Sequence, residues 1–265
     1  MRRRALIAVA AATVGLVLAV SAGAITFGAN DNGRHPMVGA LVADLPDIGN
    51  VQWCSGTLIA SNVFLTASHC LVGFENITFR VTFDEVLDAD ADGIVDPGVH
   101  LIDGTRHANP AYASGGANDT FDVAVIVLDE NPCLTRASLP QAGLLDRRDV
   151  RSARFTAVGY GTVRDDKRKG PQTFQLGTRR KYVTQSVNSV TKAWATFSMN
   201  PSTGNGGTCY GDSGGPHFLG AGSSETTTVV SLTVTGDATC RATDKTYRLD
   251  TPSARAFLGD FVALP

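Results

Sequence analysis

Apolar residues lie along the chain mostly in short runs, which either alternate with polar positions or stay apolar throughout. Runs of this kind, bounded by glycine, proline and other turn residues, predict β-strands. The runs form an earlier and a later set, separated by the proline- and glycine-containing stretch 131–148. The predicted strands are 37–42, 56–66, 77–83 and 123–128 in the earlier set, and 154–158, 181–187, 193–199, 227–234 and 246–249 in the later set.

Helical periodicity is confined to the C-terminal end. Thr251 stands before Pro252, and apolar residues follow from Ala256 to Val262. A threonine cap with a proline just inside the first turn predicts a short terminal helix. With 28 glycines and no regular alternation of strands and helices, the chain of 265 residues is predicted to be all-β.

The N-terminus differs from the rest of the chain in composition. Arginines at positions 2–4 precede the almost wholly apolar run 5–20, and the small residues Ala-Gly-Ala follow at 22–24. This order is that of a secretory signal peptide, so residues 1–24 are predicted to be removed and the mature protein to be secreted, extracellular and free of the membrane. A single membrane anchor is the alternative, because the run approaches the ~20 residues that span a bilayer. The closing small residues and the absence of a following basic cluster favour cleavage.

Charge and cysteine content narrow the class further. The 23 basic and 25 acidic residues nearly balance and form no basic stripe, which argues against a nucleic-acid partner. Five cysteines are present, and disulfides are permissible in a secreted protein. Their odd number leaves one thiol over, and the sequence by itself does not settle which cysteines pair.

Three motifs carry residues with catalytic chemistry: Thr-Ala-Ser-His-Cys around His69, Asp-Val-Ala-Val from Asp122, and Gly-Asp-Ser-Gly-Gly around Ser213. A serine hydroxyl needs an adjacent base to become nucleophilic at neutral pH, and histidine is the usual base. The imidazole in turn needs a buried carboxylate that fixes its tautomer and stabilises its cation. Each motif alone has a structural interpretation, as a core histidine, a turn aspartate or a glycine-rich turn. The three together predict a catalytic triad.

The glycines around Ser213 allow a tight turn that aims the N–H groups of Gly211 and Ser213 at one point. Two such donors form an oxyanion hole for a tetrahedral intermediate. The segment also fits the Gly-x-Ser-x-Gly elbow of α/β-hydrolases, which would make the protein a lipase-like esterase. Those enzymes place the acid and then the histidine after the serine, whereas here His69 and Asp122 precede it and only His217 follows. The order of the residues therefore argues against the esterase.

The three motifs, in this order, resemble those of the chymotrypsin/trypsin family of serine endopeptidases, in particular its secreted bacterial members. The resemblance implies two packed six-stranded antiparallel β-barrels, residues 25–140 and 141–265, with the terminal helix in the second unit. It implies that His69 is general base and then acid, that Asp122 orients it, and that Ser213 is the acylated nucleophile. We expect peptide or protein substrates, no required cofactor and a monomer. A catalytically silent relative that only binds is the alternative, and the intact triad argues against it.

The resemblance also implies the covalent links. Cys54–Cys70 would staple the loop before the histidine, and Cys209–Cys240 would clamp the pocket beside the serine, each contributing ~2–4 kcal/mol. Cys133 is then unpaired. We expect an inert buried thiol there, with intermolecular pairing as the alternative.

Activation is the third implication of the resemblance. In this family a free N-terminus, usually Ile-Val-Gly-Gly, pairs with the aspartate next to the nucleophile. Here Ile25 directly follows the predicted cleavage site, so we expect signal peptidase itself to expose it and its ammonium group to pair with Asp212. The family's usual sequence is altered at Thr26 and Phe27.

Alignment with the family places the primary specificity pocket at five residues. Gly207 takes the floor position, where trypsin-like enzymes carry aspartate, so cleavage after Lys or Arg is not expected. Ser231, Leu232 and Thr233 match the strand that pairs with the substrate backbone, and Thr233 replaces a wall glycine, which narrows the pocket. Lys245 matches another wall position. Its cation favours an acidic substrate side chain if it points inward, whereas a lysine turned to solvent leaves a neutral pocket for small or apolar residues.

A run of acidic residues between the histidine and aspartate motifs predicts a calcium loop. Asp88, Asp90 and Asp92 alternate before a glycine, and Asp96 follows, as in the first half of an EF-hand loop. The bidentate glutamate expected at the last position is replaced by Val99. A solvated acidic turn is the equal alternative. Calcium bound here would be a structural ion that stiffens the loop.

Overall fold

The computed structural model describes residues 25–164 and 173–265, so the predicted signal peptide 1–24 lies outside the described residues. Strands account for most of the regular structure in these ranges, and two short α-helices accompany them. The strands are β1 (Ala29–Asn30), β2 (Val38–Leu45), β3 (Gly49–Leu58), β4 (Val63–Thr66), β5 (Thr78–Thr82), β6 (Gly104–Ala108), β7 (Ala124–Leu128), β8 (Arg154–Gly159), β9 (Val163–Arg164), β10 (Phe174–Gln175), β11 (Lys181–Val190), β12 (Trp194–Ser198), β13 (Pro216–Leu219), β14 (Val229–Gly236) and β15 (Thr243–Arg248). The helices are α1 (Arg148–Arg151) and α2 (Pro252–Leu258). The prediction of an all-β fold is confirmed.

Six antiparallel strands of the N-terminal half form one curled sheet, in the order β5-β2-β3-β4-β7-β6. An isolated bridge between Val81 and Ile102 links the two ends of this sheet. The first six residues of β2 are all buried, because alternate side chains fill the inside of the curl while the others pack against neighbouring elements. Burial of both faces explains why the sequence of such a strand is an unbroken apolar run.

The second sheet contains seven strands in the order β1-β11-β12-β15-β14-β13-β8. β8 also pairs with β11 over six residues, which closes six of the strands into a barrel and leaves β1 outside the ring. β11 alternates buried and half-buried positions along its first six residues, as expected for a strand with one face toward the barrel interior. The two β-units and the short terminal helix agree with the predicted architecture.

One predicted strand is wrong in its extent. The range 56–66 holds two strands, β3 and β4, joined by a turn in which the Ile59 N–H donates to the Val63 carbonyl at 2.9 Å. The side chain of Asn62, within this turn, donates to the Leu128 carbonyl at 3.2 Å. β6 and β13 escape the sequence pattern, because β6 (Gly-Thr-Arg-His-Ala) holds no apolar run and β13 opens on a proline.

Each end of the described chain packs on the other unit. β1 pairs with β11 of the second sheet, whereas α2 lies against the connection that precedes β7, where Ser253 Oγ donates to Asp119 Oδ2 at 2.7 Å. Thr251 caps α2 by accepting from the Ala254 N–H at 3.3 Å, as the sequence predicts. The bounds 25–140 and 141–265 stay predictions. No helix in the described ranges is long and apolar enough to cross a bilayer.

Two disulfides, Cys54–Cys70 and Cys209–Cys240, are formed. Cys133 has a free thiol and is exposed, so the expectation that it is buried is wrong. It lies in the connection between β7 and β8, where its N–H donates to Asn131 Oδ1 at 2.9 Å in a tight turn. Cys133 lines an open surface cavity together with Leu134 and Val262, so these apolar neighbours do not enclose the sulfur.

Candidate active site

His69 and Asp122 meet because two strands of the first sheet are paired. His69 lies in a single 3-10 turn, Ser68–Cys70, directly after β4, and Asp122 lies just before β7. β4 and β7 run antiparallel with Thr66 opposite Ala124, so the end of one strand and the start of the other share one edge of the sheet. His69 Nδ1 is 2.8 Å from Asp122 Oδ2, and the His69 N–H donates to Asp122 Oδ1 at 2.9 Å.

Burial divides the pair into an inner and an outer group. The side chain of Asp122 is 3% exposed, whereas that of His69 is 28% exposed. Because Nδ1 donates to the carboxylate, Nε2 is left as the acceptor on the accessible side of the ring. The Ser68 hydroxyl donates to the Val123 carbonyl at 2.8 Å, which fastens the two segments beside the pair.

Ser213 lies in the loop between the Cys209–Cys240 disulfide and β13. Its carbonyl accepts from the Ser55 N–H at 2.8 Å and lies 3.9 Å from Cys70 Sγ. The same sulfur is 3.8 Å from His69 Nε2, so the backbone of Ser213 and the imidazole both lie next to this disulfide. Within the described residues, Ser213 Oγ and His69 Nε2 make no hydrogen bond to each other.

The loop before Ser213 is shaped for two free N–H donors. The Asp212 N–H turns inward to the Cys209 carbonyl at 3.1 Å, whereas the N–H groups of Gly211 and Ser213 donate to no group of the described chain. Gly211 has a φ of +92°, in the left-handed region that glycine adopts without strain. The alternation of inward and outward amides is the arrangement that an oxyanion hole requires.

A cavity of about 260 Å³ opens beside Ser213 in the second unit. Its neutral polar wall contains Thr208, Thr233 and Thr235, and Tyr210 stands at its edge with the hydroxyl donating to the Ala238 carbonyl at 3.2 Å. The remaining lining residues are Cys209, Val234, Gly236, Asp237 and Cys240.

Asp237 is the one acidic residue among those that line this cavity. Its Oδ1 accepts from the N–H groups of Ala242 and Thr243 at 2.8 Å each. Partial burial opposes ionisation, but the Thr239 hydroxyl and these amides outweigh it and lower the pKa of Asp237. The charged Asp237 carboxylate therefore interacts with the amides of its own loop.

Of the five residues predicted to form the pocket, Thr233 alone lines this cavity among the described residues. Ser231 and Leu232 are fully buried in β14. At Gly207 a Cβ would stand 2.2 Å from Met199 Sδ, so the methionine fills the place of a floor side chain.

The sequence from residue 29 to residue 256 matches the model of the Trypsin family. The chain belongs to the trypsin family. A trypsin from Saccharopolyspora erythraea is 28% identical over 188 residues, which cover 69% of this chain and 75% of that protein. A CLIP domain-containing serine protease B8 from Anopheles gambiae is 25% identical over 212 residues, which cover 69% of this chain and 52% of that protein. The chain is thus a serine-type endopeptidase that acts on peptides or proteins.

Lys245 of this trypsin-family chain does not enter the cavity. Its Nζ lies 4.0 Å from the centre of the Trp194 ring, on the neighbouring strand β12. A cation over an indole face is stabilised by the ring quadrupole. This position of Lys245 does not support a cation in the pocket wall. It therefore does not support the acidic substrate preference that depended on that cation.

Ile25 and Asp212 are both fully buried in this trypsin-family chain. Thr26, next to Ile25, pairs with Gly207 through two backbone hydrogen bonds of 2.9 Å, which hold the segment against the loop that leads to Asp212. Asp212 accepts from the Gly161 N–H at 2.7 Å and from the Cys209 N–H at 2.8 Å. It has no ion-pair partner among the described residues, and burial raises its pKa to about 7. A buried carboxylate held in this way is a place where a cation is stabilising.

The acidic loop brings together three of its four predicted ligands. Oxygens of Asp88, Asp90 and Asp96 lie within 4.8 Å of one another. The charge of Asp92 and a hydrogen bond with Asp88 raise the pKa of Asp90. Asp92 itself caps a turn, because its Oδ1 accepts from the Ile94 N–H at 2.8 Å. Asp92 lies outside the group of three, and its role as a ligand stays a prediction.

Sequence reasoning missed two parts of the site. Gln52 and Ser55, on β3, both contact the carbonyl of Gly211, and no local pattern signals a contact between residues so far apart. A second cavity, of about 330 Å³, shares Tyr210 with the first and is also walled by Gly211, Trp53 and Leu176 among others. Its walls come from both halves of the chain, which only the fold brings together.

Proposed function

We propose that the mature chain is a secreted, monomeric endopeptidase whose His69, Asp122 and Ser213 hydrolyse peptide bonds through an acyl-enzyme. The observation that carries the proposal is the buried Asp122 carboxylate bonded to both the ring and the backbone of His69. The loop bearing Ser213 and the two outward N–H donors stands beside this pair. The family membership supports peptide hydrolysis by a serine.

In the first step the Ser213 oxygen attacks the substrate carbonyl carbon while its proton passes to His69 Nε2. The carbonyl oxygen becomes an oxyanion, which accepts from the N–H groups of Gly211 and Ser213. The Asp122 carboxylate stabilises the imidazolium without taking its proton. His69 then protonates the leaving nitrogen, the C–N bond breaks, and the acyl group remains on Ser213.

Water completes the cycle. His69 Nε2 takes a proton from the water as its oxygen attacks the acyl carbon, and the second oxyanion is held by the same two donors. The proton then returns to the Ser213 oxygen as the ester bond breaks. The products are a carboxylic acid and an amine, and the enzyme regains its starting state.

Covalent labelling tests the proposed nucleophile. A fluorophosphonate should add once to the wild-type chain and not to Ser213→Ala, with the adduct located by mass spectrometry of the peptide that contains residue 213. Peptide hydrolysis should disappear in the same variant. A wild-type chain that folds but neither reacts nor hydrolyses peptides would support the silent binding module instead.

The cavity beside Ser213 supports a small or apolar, uncharged side chain on the acyl side of the cleaved bond. Its volume is about 260 Å³ and its wall carries Thr208 and Thr233. Gly207, at the predicted floor position, lies outside this lining and brings no charged side chain. The charged Asp237 carboxylate accepts hydrogen bonds from the amides of its own loop. A peptide-library profile dominated by Lys, Arg, Asp or Glu on this side would refute the assignment.

Activation rests on a free N-terminus at Ile25. Its ammonium group would supply the cation that buried Asp212 lacks in the continuous chain, with no separate pro-segment. N-terminal sequencing of protein from the culture medium tests secretion and the processing site together. A mature start well beyond Ile25, or retention in the membrane fraction, would contradict the proposal.

A structural calcium ion at Asp88, Asp90 and Asp96 fits the loop, because three carboxylates that face one another repel unless a cation or proton joins them. The residues would supply carboxylate oxygens, which calcium prefers. The ion would stiffen the loop and take no part in the chemistry. A melting temperature that chelator leaves unchanged would refute the site.

A further inference from the structure

The carbonyl of Gly211 is held by two side chains from the first unit. Gln52 Nε2 donates to it at 2.9 Å, and Ser55 Oγ donates to it at 3.0 Å. The Ser55 N–H also donates to the Ser213 carbonyl at 2.8 Å. Strand β3 therefore holds the backbone on both sides of Asp212.

Ser55 also links this loop to the segment that follows β8. The Tyr160 N–H donates to Ser55 Oγ at 3.1 Å, so one hydroxyl accepts from one segment and donates to another. The next amide, that of Gly161, holds Asp212 Oδ1 at 2.7 Å. Ser55 is fully buried, and a buried hydroxyl with both partners satisfied fixes the groups around it.

These contacts bear on the two outward amides. Fixing the Gly211 carbonyl fixes the plane of the peptide between Gly211 and Asp212, and the Ser213 carbonyl is fixed in the same way. Gly211 has a φ of +92° and, as a glycine, no Cβ to restrict its rotation. The Gly211 N–H lies in the preceding peptide, whose Tyr210 carbonyl accepts from the Thr162 N–H at 2.7 Å. Holding the Gly211 carbonyl as well limits the rotation about Gly211 that would turn this N–H away, and a small misplacement of a donor costs much of its catalytic effect.

We propose that Ser55 and Gln52 are positioning residues that hold the oxyanion hole in its active orientation through the Gly211 carbonyl. This inference rests on the proposed function, because it needs the N–H groups of Gly211 and Ser213 to receive the oxyanion. Neither side chain touches the reacting atoms. Their effect is on transition-state stabilisation, whereas substrate binding in the cavity beside Thr233 is left intact.

The test is kinetic analysis of Ser55→Ala and Gln52→Glu with a peptide substrate and with a peptide boronic acid, which forms a tetrahedral adduct on the serine. We expect kcat to fall about ten-fold in each, less than the roughly 10²–10³-fold loss on removing an oxyanion-hole donor itself. KM should stay within about two-fold, because the lost interaction acts only in the transition state. Affinity for the boronic acid should fall by the same factor as kcat.

Thr57→Val is the matched control. Thr57 is a buried residue of the same strand whose hydroxyl donates to the Met37 carbonyl at 3.2 Å, away from the loop. This variant also loses a buried hydrogen bond, but it should keep the wild-type kcat and boronic acid affinity. Equal losses in Thr57→Val and Ser55→Ala would show a general effect of destabilisation and would overturn the proposal.

Two further outcomes are decisive. If Ser55→Ala does not fold, Gln52→Glu decides by itself, since its side chain is only half-buried and the change keeps its size. Unchanged kcat and boronic acid affinity in the folded variants would overturn the proposal. Failure of the proposed function itself would give a different result from unchanged variants. The wild-type chain would then neither form the fluorophosphonate adduct nor hydrolyse the peptide.

Discussion

Asp122 accepts two hydrogen bonds from one residue, His69: one from ring Nδ1 at 2.8 Å and one from the backbone N–H at 2.9 Å. The two bonds fix both the position of the histidine and the tautomer of its ring. Because Asp122 is almost fully buried, water does not solvate its charge. Loss of these two hydrogen bonds would therefore be costly.

The first prediction concerns the tautomer. Asp122→Asn should retain the fold, but the amide can present an N–H to the ring and so favour the tautomer in which Nε2 carries the proton. We expect kcat to fall by roughly 10⁴-fold, as in other serine proteases with this change. Fluorophosphonate labelling should slow in parallel. Asp103→Asn, at an exposed aspartate of the same unit, should keep wild-type kinetics; an active Asp122→Asn would exclude the triad.

A second prediction concerns the N-terminus and pH. With residue 24 attached to Ile25, burial raises the pKa of Asp212 to about 7. The folded chain then binds a proton that the unfolded chain releases near pH 4, so the contribution of Asp212 to stability is greatest at low pH and falls as the pH rises from about 4 to about 7. The slope should approach ~1.4 kcal/mol per pH unit within this window.

Urea unfolding of Ser213→Ala, which avoids self-digestion, checks this in two forms that begin at Ile25 or carry one extra glycine before it. The free ammonium group should lower the pKa of Asp212 and remove the loss of stability between about pH 4 and about pH 7. In the active protein the added glycine should abolish most of the hydrolysis. Identical pH profiles for the two forms would contradict the Ile25–Asp212 pair.

Another pH effect should come from His35, whose ring is buried between two carboxylates. Nδ1 contacts Asp31 and Nε2 is 2.5 Å from Glu225 Oε1. Burial opposes the charged ring, but the hydrogen bonds to Asp31 and Glu225 outweigh it and raise the pKa of His35 above its usual 6.5. Its contribution is therefore complete below about pH 6.5 and is lost as the pH rises through the higher folded pKa.

His35→Gln should lower the free energy of unfolding by about 1.5–3 kcal/mol at pH 6, because Asp31 and Glu225 lose a charged hydrogen-bond donor, although each keeps an arginine, Arg180 and Arg34 respectively. The difference from wild type should shrink toward pH 9. His100→Gln, at an exposed histidine that contacts Glu130 at 3.3 Å, is the control and should change little. A difference that does not vary with pH would show that the ring is uncharged.

The second cavity leads to a prediction about the leaving group. Its walls include Trp53, Leu176 and Gly211, and it shares Tyr210 with the cavity that contains Thr233. An apolar side chain of the departing amine can be buried there, at ~25 cal/mol per Å². Acyl transfer from an ester substrate to dipeptide amides should thus favour apolar over polar nucleophiles, and Leu176→Ser should weaken the preference several-fold.

Ile48→Ser is the matched change outside this cavity, at another exposed apolar residue. It should leave the nucleophile preference as in the wild type. An equal preference for all nucleophiles in the wild type would show that the cavity takes no substrate side chain. Hydrolysis of the ester itself should be unaffected by Leu176→Ser, since the acyl side does not contact this wall.

The sequence was enough to predict the β fold and the family. The signals were the short apolar segments, the Thr251 cap and the motifs around His69, Asp122 and Ser213, and each of them consists of adjacent residues. Local rules were insufficient where neighbours in space are distant along the chain. They joined β3 and β4 into one strand, because the turn at Asn62 is flanked by apolar residues on both sides.

Only the tertiary structure decided the pocket and the support of the oxyanion loop. Alignment placed Lys245 in the pocket wall, whereas the pairing of β15 with β12 sets its cation over Trp194. Ser55 and Gly211 are brought together by the packing of the two units. Chemistry encoded within a motif can be read from the sequence, but contacts between motifs depend on strand register and side-chain packing, which the whole fold determines.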